Sequence, residues 1–428
     1  MINVDDFLKP VPKTGVIYVL EKAVQLGYSP EDDTWANLGQ GAPETGVLTV
    51  DGKVNDKDLD KKITITSIST EYGPVSGRQD LREKIADYYN DMFRQGKSSK
   101  YTYRNVCIAG GGRVALSRLV AALGNINLGH FIPDYTAYEE LLGVFQNFIP
   151  IPISLKKESQ YKIPLDRLKD EIVSKGLSAL LISNPCNPTG QVLMDDELKQ
   201  WVNLTNALGC LSIYDEFYSH YIYSDYISGQ TKDKPRLISA AEFVDDVNKD
   251  PVVIINGMSK NWRSPGWRVG WLLASEDIIQ RVSSVGSFLD GGAVHPLQTE
   301  AVSMINSDYV YQQAELIQST FFEKRQYMLA ELKSMGFVVD FEPNAAFYIW
   351  CDLSQLPEPL RDCQAFFEAC LAENVITVPG IFFDVNPGKR RLKQHSRYNN
   401  YVRISFGPKL ETLRVGIAGI KRAIQRYS

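Results

Sequence analysis

The middle of the chain alternates short apolar runs with amphipathic stretches of helical period. Val106–Ala109, His130–Ile132, Ala179–Ser183, Leu211–Tyr214, Val252–Asn256 and Val269–Ala274 read as strands. Between them, Val114–Leu123, Leu165–Ser174 and Asp195–Leu208 read as helices. Runs such as Ala-Leu-Leu-Ile are apolar at every position, as strands are when both faces of a sheet are covered. The pattern predicts an α/β fold with a mostly parallel sheet and helices on both sides. From about Tyr309 it changes to a long charged helix, then short apolar runs at Phe347–Cys351 and Tyr401–Ser405, then a closing helix over Leu410–Arg426. That reads as a second, smaller α+β unit.

At 428 residues the chain has room for two or three domains, and 44% apolar with 23% charged residues allow a sizeable core. The formal net charge of −5 lacks the basic excess of phosphate-backbone binding, so nucleic acid is not an expected partner. No run approaches the ~18 consecutive apolar residues of a membrane helix. Met1–Pro10 carries Asp5 and Asp6 where a secretion signal needs positive charge before an apolar run, so a soluble cytoplasmic protein is expected. The six cysteines include no Cys-x-x-Cys pair and the four histidines lie far apart, so neither disulfides nor a metal site is expected.

Four segments carry candidate chemistry. Ala109-Gly-Gly-Gly-Arg113 follows a strand and opens a helix, an arrangement that offers amides to an anion or is simply a turn. Ser183-Asn-Pro-Cys-Asn-Pro-Thr-Gly190 cannot be helical and presents Asn187 at the carboxyl edge of the sheet. Asp215, leaving an apolar strand ahead of Tyr218, is either a surface carboxylate or a buried one that needs a cation. Lys260, between Ser259 and Asn261-Trp262 and eight residues before Arg268, is a surface lysine or a semi-buried amine able to form a Schiff base.

In this order, and with a late Val-Arg-Ile-Ser, the four segments resemble the class I and II aminotransferases, pyridoxal 5'-phosphate enzymes of the aspartate aminotransferase fold. The resemblance runs from about Asn37 to Gly407. It implies a large domain over residues 61–310 with a mostly parallel seven-stranded sheet flanked by helices. The smaller α+β domain is then formed by an N-terminal segment within residues 1–60 and by the C-terminal part, residues 311–428.

By motif, Lys260 resembles the lysine that forms the Schiff base and later moves the proton. Asp215 resembles the carboxylate beside the pyridine nitrogen, and Asn187 and Tyr218 the pair on the phenolic oxygen. Arg268 matches the phosphate-binding arginine, while Gly111, Gly112 and Arg113 fall where main-chain amides bind the same phosphate. Tyr135 resembles the ring that stacks on the pyridine. Tyr72 resembles a tyrosine given to the neighbouring subunit's phosphate, which implies a homodimer with shared active sites. Arg403 matches the arginine that grips the substrate α-carboxylate, with Asn187 beside it, and Gly41 a glycine that leaves room for substrate.

There are departures. Gly257 stands where the family often has a phosphate-binding serine, with Ser259 as its candidate substitute. Ala345 replaces a common glycine, which is expected to reshape the substrate side. Asp384–Asn400 is an insertion with Lys389, Arg390, Arg391, Lys393 and Arg397, either a lid or a solvated loop.

The reading is a transaminase that moves an amino group from an L-amino acid to a 2-oxo acid through a Lys260 Schiff base. The alternatives are a lyase or synthase on the same fold, acting by β-elimination or cyclisation, and a non-catalytic cofactor-binding regulator. The chain has neither Lys nor Arg between Val282 and Glu323, where dicarboxylate-specific relatives place a second arginine. The donor is therefore expected not to be primarily aspartate or glutamate, and Tyr18, Tyr135, Trp262 and Phe347 hint at an apolar or aromatic pocket.

Overall fold

The computed structural model describes residues 13, 15–50, 53–54, 63, 65–145, 147–230, 233–392 and 395–427. Asp5, Asp6 and Lys393 lie outside the described residues. In chain order the first strands are β1 (Ala36–Asn37), β2 (Thr49–Val50), β3 (Lys53–Val54), β4 (Val106–Ala109), β5 (Asn127–Ile132), β6 (Ile149–Ser154) and β7 (Leu177–Ser183). Then come β8 (Leu211–Asp215), β9 (Val252–Gly257), β10 (Gly270–Leu273), β11 (Tyr348–Asp352), β12 (Val375–Ile376), β13 (Val378–Pro379) and β14 (Tyr401–Ser405).

Seven of them form one sheet in the order β4-β10-β9-β8-β7-β5-β6. Its pairings are parallel except those of β10, which runs antiparallel to β4 and β9. This is the mostly parallel sheet that the sequence predicts. Its strands are specified on both faces: Ala179, Leu181, Ile213, Val253 and Ile255 enter one apolar core, while Leu180, Ile182, Tyr214, Val252 and Ile254 enter the other. At ~1.5–3 kcal/mol for each fully buried aliphatic side chain, a one-residue slip in register is strongly disfavoured.

One strand of the large sheet goes unseen in the sequence. β6 reads Ile-Pro-Ile-Pro-Ile-Ser, and its prolines argue against a strand until β6 is found at the sheet edge, where missing N–H groups leave no partner unsatisfied.

The later strands make a three-stranded antiparallel sheet, β11-β14-β13, in which Arg403 on the central strand lies opposite Trp350 and Val378. β1 pairs in parallel with β12, which brings the Leu38–Ala42 segment alongside. Asn306 caps the long helix Ser307–Ser334 by accepting from Tyr309 N at 2.9 Å.

The basic insertion is neither free nor uniformly solvated. Asp384, Val385, Pro387 and Tyr398 are buried. Lys389 Nζ meets Glu139 and, at 2.6 Å, Glu140 of the helix Ala137–Val144, and Arg391 pairs with Asp384 at 2.6 Å. Among the described residues no helix is long and apolar enough to cross a membrane.

Candidate active site

Loops leaving the carboxyl ends of the parallel strands converge at one edge of the large sheet, where open α/β sheets bind ligands. Ser183 lies opposite Asp215 across β7 and β8, so the Asn-Pro loop and the Asp-x-x-Tyr segment leave the sheet side by side. With the segments after β4, β5 and β9 they enclose a cleft of about 840 Å³, lined by Gly112, Arg113, Tyr135, Asn187, Asp215, Tyr218, Ser259, Lys260 and Arg268. An adjoining chamber of about 250 Å³ shares Arg113, Tyr135, Asn187, Tyr218 and Lys260, and adds Gly41, Tyr348 and Arg403. Tyr72 lines neither cavity and is fully exposed.

Burial, reinforced by the cations Arg113, Arg403 and Arg268 and opposed by Asp215, lowers the Lys260 amine from 10.5 to about 7. Its Nζ donates to the Gly41 carbonyl oxygen. Burial raises Asp215 to about 6, against a 2.6 Å hydrogen bond donated by Tyr138 Oη. It makes no ion pair within 4 Å among the described residues. Tyr218 is kept protonated by burial, and its hydroxyl shares a 2.8 Å hydrogen bond with that of Tyr348.

Arg403 is 1% exposed. Nη1 donates to Asn187 Oδ1 at 2.9 Å and Nη2 to the Gly39 carbonyl oxygen, while the buried Nε has no partner. The guanidinium carbon stands 4.3 Å from the centre of the Tyr348 ring, a cation–π contact that orients the fork. A Cβ at Gly41 would lie 2.7 Å from Tyr348 Oη, so the chamber needs a glycine there.

Next to the cleft, β4, β10 and β9 end at or beside closely packed glycines. Gly111 has φ +89° and caps the helix Gly112–Ala122; a Cβ there would fall 2.4 Å from Arg268 Nη2. A Cβ at Gly270 would lie 2.8 Å from Gly111 C, and one at Gly257 only 2.7 Å from Gly270 Cα. Arg268 is itself in the left-handed region at φ +55°, a conformation that costs a non-glycine residue roughly 1–2 kcal/mol. Its Nη1 and Nη2 each donate to a carbonyl at 3.2 Å, those of Pro265 and Gly110. Arg113 donates through Nε (3.1 Å) and Nη2 (2.8 Å) to Tyr135 Oη.

The model of the family described as aminotransferase class I and II matches residues 33–420. The chain belongs to the class I and II aminotransferases. It is 27% identical over 367 residues to a probable aspartate/prephenate aminotransferase of Aquifex aeolicus, covering 83% of this chain and 84% of that one. It is 26% identical over 364 residues to an aspartate aminotransferase of Bacillus subtilis, covering 84% and 85%. The fold is shared with the Thermus thermophilus aspartate aminotransferase solved with maleate, at a TM-score of 0.76, 20% identity and coverage of 96% and 97%. It is also shared with an aromatic aminotransferase from Pyrococcus horikoshii, at 0.73, 22%, 95% and 99%. Enzymes of this family depend on pyridoxal 5'-phosphate, and this one is a transaminase.

Set against the sequence reading, two expectations about this aminotransferase change. Ala345 does not face the substrate side: it is buried with Val192, Ile222 and Ile238, and its N–H donates 3.1 Å to the Gly190 carbonyl. Trp262 and Phe347 belong to the apolar cores, and Tyr18 packs against Phe367 and Phe382, so of the four aromatic residues only Tyr135 lines the cleft. The Gly257 departure has a steric reason, since a side chain there would strike the Gly270 backbone. The sequence reading missed Tyr138 and Tyr348. Tyr138 follows Tyr135 by three residues, one helical turn on, and Tyr348 ends the Ala-Phe-Tyr run.

Proposed function

We propose that this aminotransferase anchors its cofactor on Lys260 and grips the amino-acid carboxylate with Arg403. The observation that carries the reading is the meeting, in one cleft, of Lys260 and Asp215, a carboxylate without an ion-pair partner among the described residues, with Arg113 and Arg268, while Arg403 stands in the adjoining chamber that Lys260 also lines. The residues fit the cofactor: Asp215 meets neutral donors, Tyr138 Oη and the Phe217 amide, and is suited to a protonated ring nitrogen. Arg268, Ser259 and the amides of Gly111, Gly112 and Arg113 at a helix start are suited to a phosphate. Bound there, pyridoxal 5'-phosphate supplies an aldehyde for amines to condense with and a ring that accepts electron density from the substrate Cα.

In this reading Asp215, an anion above about pH 6, keeps the ring nitrogen protonated. Tyr135 would cover the ring, and Asn187 and Tyr218 would meet the phenolic oxygen. In the cofactor-free protein the Lys260 amine, at about 7, is close to half protonated near neutral pH, so its Nζ is suited both to take up and to give back a proton. Arg403 would hold the substrate carboxylate and so restrict the substrate's rotation beside Lys260.

The names of the relatives make aspartate the first donor to test. Beyond Arg403, however, the chamber is walled by Val16, Ile17 and Leu20 of the helix Gly15–Gln25 and by Ile376, a surface suited to leucine or phenylalanine. With purified holoenzyme, a competent donor converts the bound cofactor to its amine form, and only a 2-oxo acid restores it. Steady release of ammonia or thiol without a 2-oxo acid would instead mark a lyase.

The same reading includes a homodimer. Tyr72 (100% exposed), Phe288 (76%) and Val294 (51%) lie in segments that meet at Gly73–His295 and Pro74–Gly292, beside the cleft mouth at Leu289, and they suit a second copy. Sedimentation should give twice the chain mass for the wild type and a shift toward monomer for Phe288→Arg. A wild-type monomer with full activity rules the dimer out.

A further inference from the structure

The loop that carries Lys260 is held by two buried side chains outside the chemistry described so far. Tyr221 Oη donates 2.8 Å to the Lys260 carbonyl oxygen, which also accepts from Arg263 N at 2.9 Å. The Tyr221 ring is wedged edge-on against Phe321 and Phe347, at centroid distances of 5.0 and 5.1 Å. Asn261, next to the lysine, is wholly buried. Its Nδ2 reaches the Glu216 carbonyl (3.1 Å), Ser219 Oγ (3.0 Å) and Asn256 Oδ1 (2.9 Å), and its Oδ1 accepts from His220 N at 3.1 Å.

These bonds all run to the same places. Glu216, Ser219, His220 and Tyr221 follow β8 directly and share their segment with Asp215 and Tyr218, while Asn256 lies near the end of β9. The backbone that bears the amine is therefore fastened to the backbone that bears the carboxylate and the phenol. Such a buried network resists rearrangement, because loosening one bond leaves several polar groups without partners.

We propose that Tyr221 and Asn261 are positioning residues that set where the Lys260 amine stands relative to Asp215 and Tyr218. The proposal rests on the reading of Lys260 as the cofactor's anchor. A hydroxyl and an amide suit the task because neither adds a charge: a cation here would lower the amine's proton affinity further, and an anion would raise it. Neither side chain lines the cleft, so their effect reaches the reaction only through the lysine's placement.

The test uses holoenzyme. Tyr221→Phe keeps the ring and its packing and removes one hydroxyl; Asn261→Ser is the second variant, which keeps a small hydroxyl in the network. The expected result is a single-turnover rate with a good amino donor lowered by about 5- to 20-fold, with KM within about twofold of wild type. The pH midpoint of the cofactor's absorbance change should also move by about half a unit or more. A melting temperature close to wild type for Tyr221→Phe keeps the comparison clean. Folded Tyr221→Phe with both rate and midpoint unchanged overturns the proposal, as does a lowered melting temperature with both kinetic readouts intact. Failure of wild-type protein to bind cofactor at Lys260 would be a different result, against the underlying reading itself.

Discussion

Lys260→Ala should abolish transamination, with a loss in kcat of at least about 10⁴-fold, the upper range for a positioned proton-transfer group, compounded by loss of the nucleophile. The protein should still fold, because truncation relieves the cost of burying an amine that ends on a single carbonyl, Gly41. Borohydride reduction of the wild-type holoenzyme should place the cofactor on residue 260, and the variant should take no label. The pH dependence carries a sign. With the amine at about 7 rather than 10.5, cofactor-free protein should capture the aldehyde faster as pH rises toward 7, and level off above it. A rate still climbing beyond pH 9 would mean an ordinary, solvated lysine. Wild-type turnover in Lys260→Ala would end the case for this residue.

Arg403→Lys should lower kcat/KM for the amino donor by about 10- to 100-fold, mostly through KM, from the loss of charge-assisted hydrogen bonds in a buried site. The lysine keeps the positive charge but not the planar fork. It cannot at once donate to Asn187 Oδ1 and the Gly39 carbonyl and still offer a second nitrogen to a carboxylate, as the arginine does with its unpaired Nε. Steady-state kinetics with the best donor, together with the Kd of an unreactive carboxylate, check this. An unchanged KM would place the carboxylate elsewhere.

Much of this enzyme was legible in its sequence because buried parallel strands write themselves as unbroken apolar runs. β7, β8 and β9 come out within a few residues, and each delivers a site segment at its carboxyl end. Of the motif residues, all but Gly111 and the exposed Tyr72 line two joined cavities. β6 was hidden because proline statistics describe interior strands and not edges. Tyr348 and Tyr138 were hidden because their roles depend on partners far away in sequence, Arg403 with Tyr218 and Asp215, and no local pattern encodes such a meeting. Aromatic residues such as Trp262 misled for the opposite reason: composition counts rings without saying which way they face.

The glycine contacts among positions 111, 257 and 270 bear on how such an enzyme can diverge. A side chain added at any of the three would strike a neighbour, so change is easier at the margin, in side chains such as Ser259 and Arg268. On the proposed reading, a chain with Gly257 in place of a serine need not hold a phosphoryl group more weakly, because main-chain amides, Ser259 and Arg268 remain to meet it.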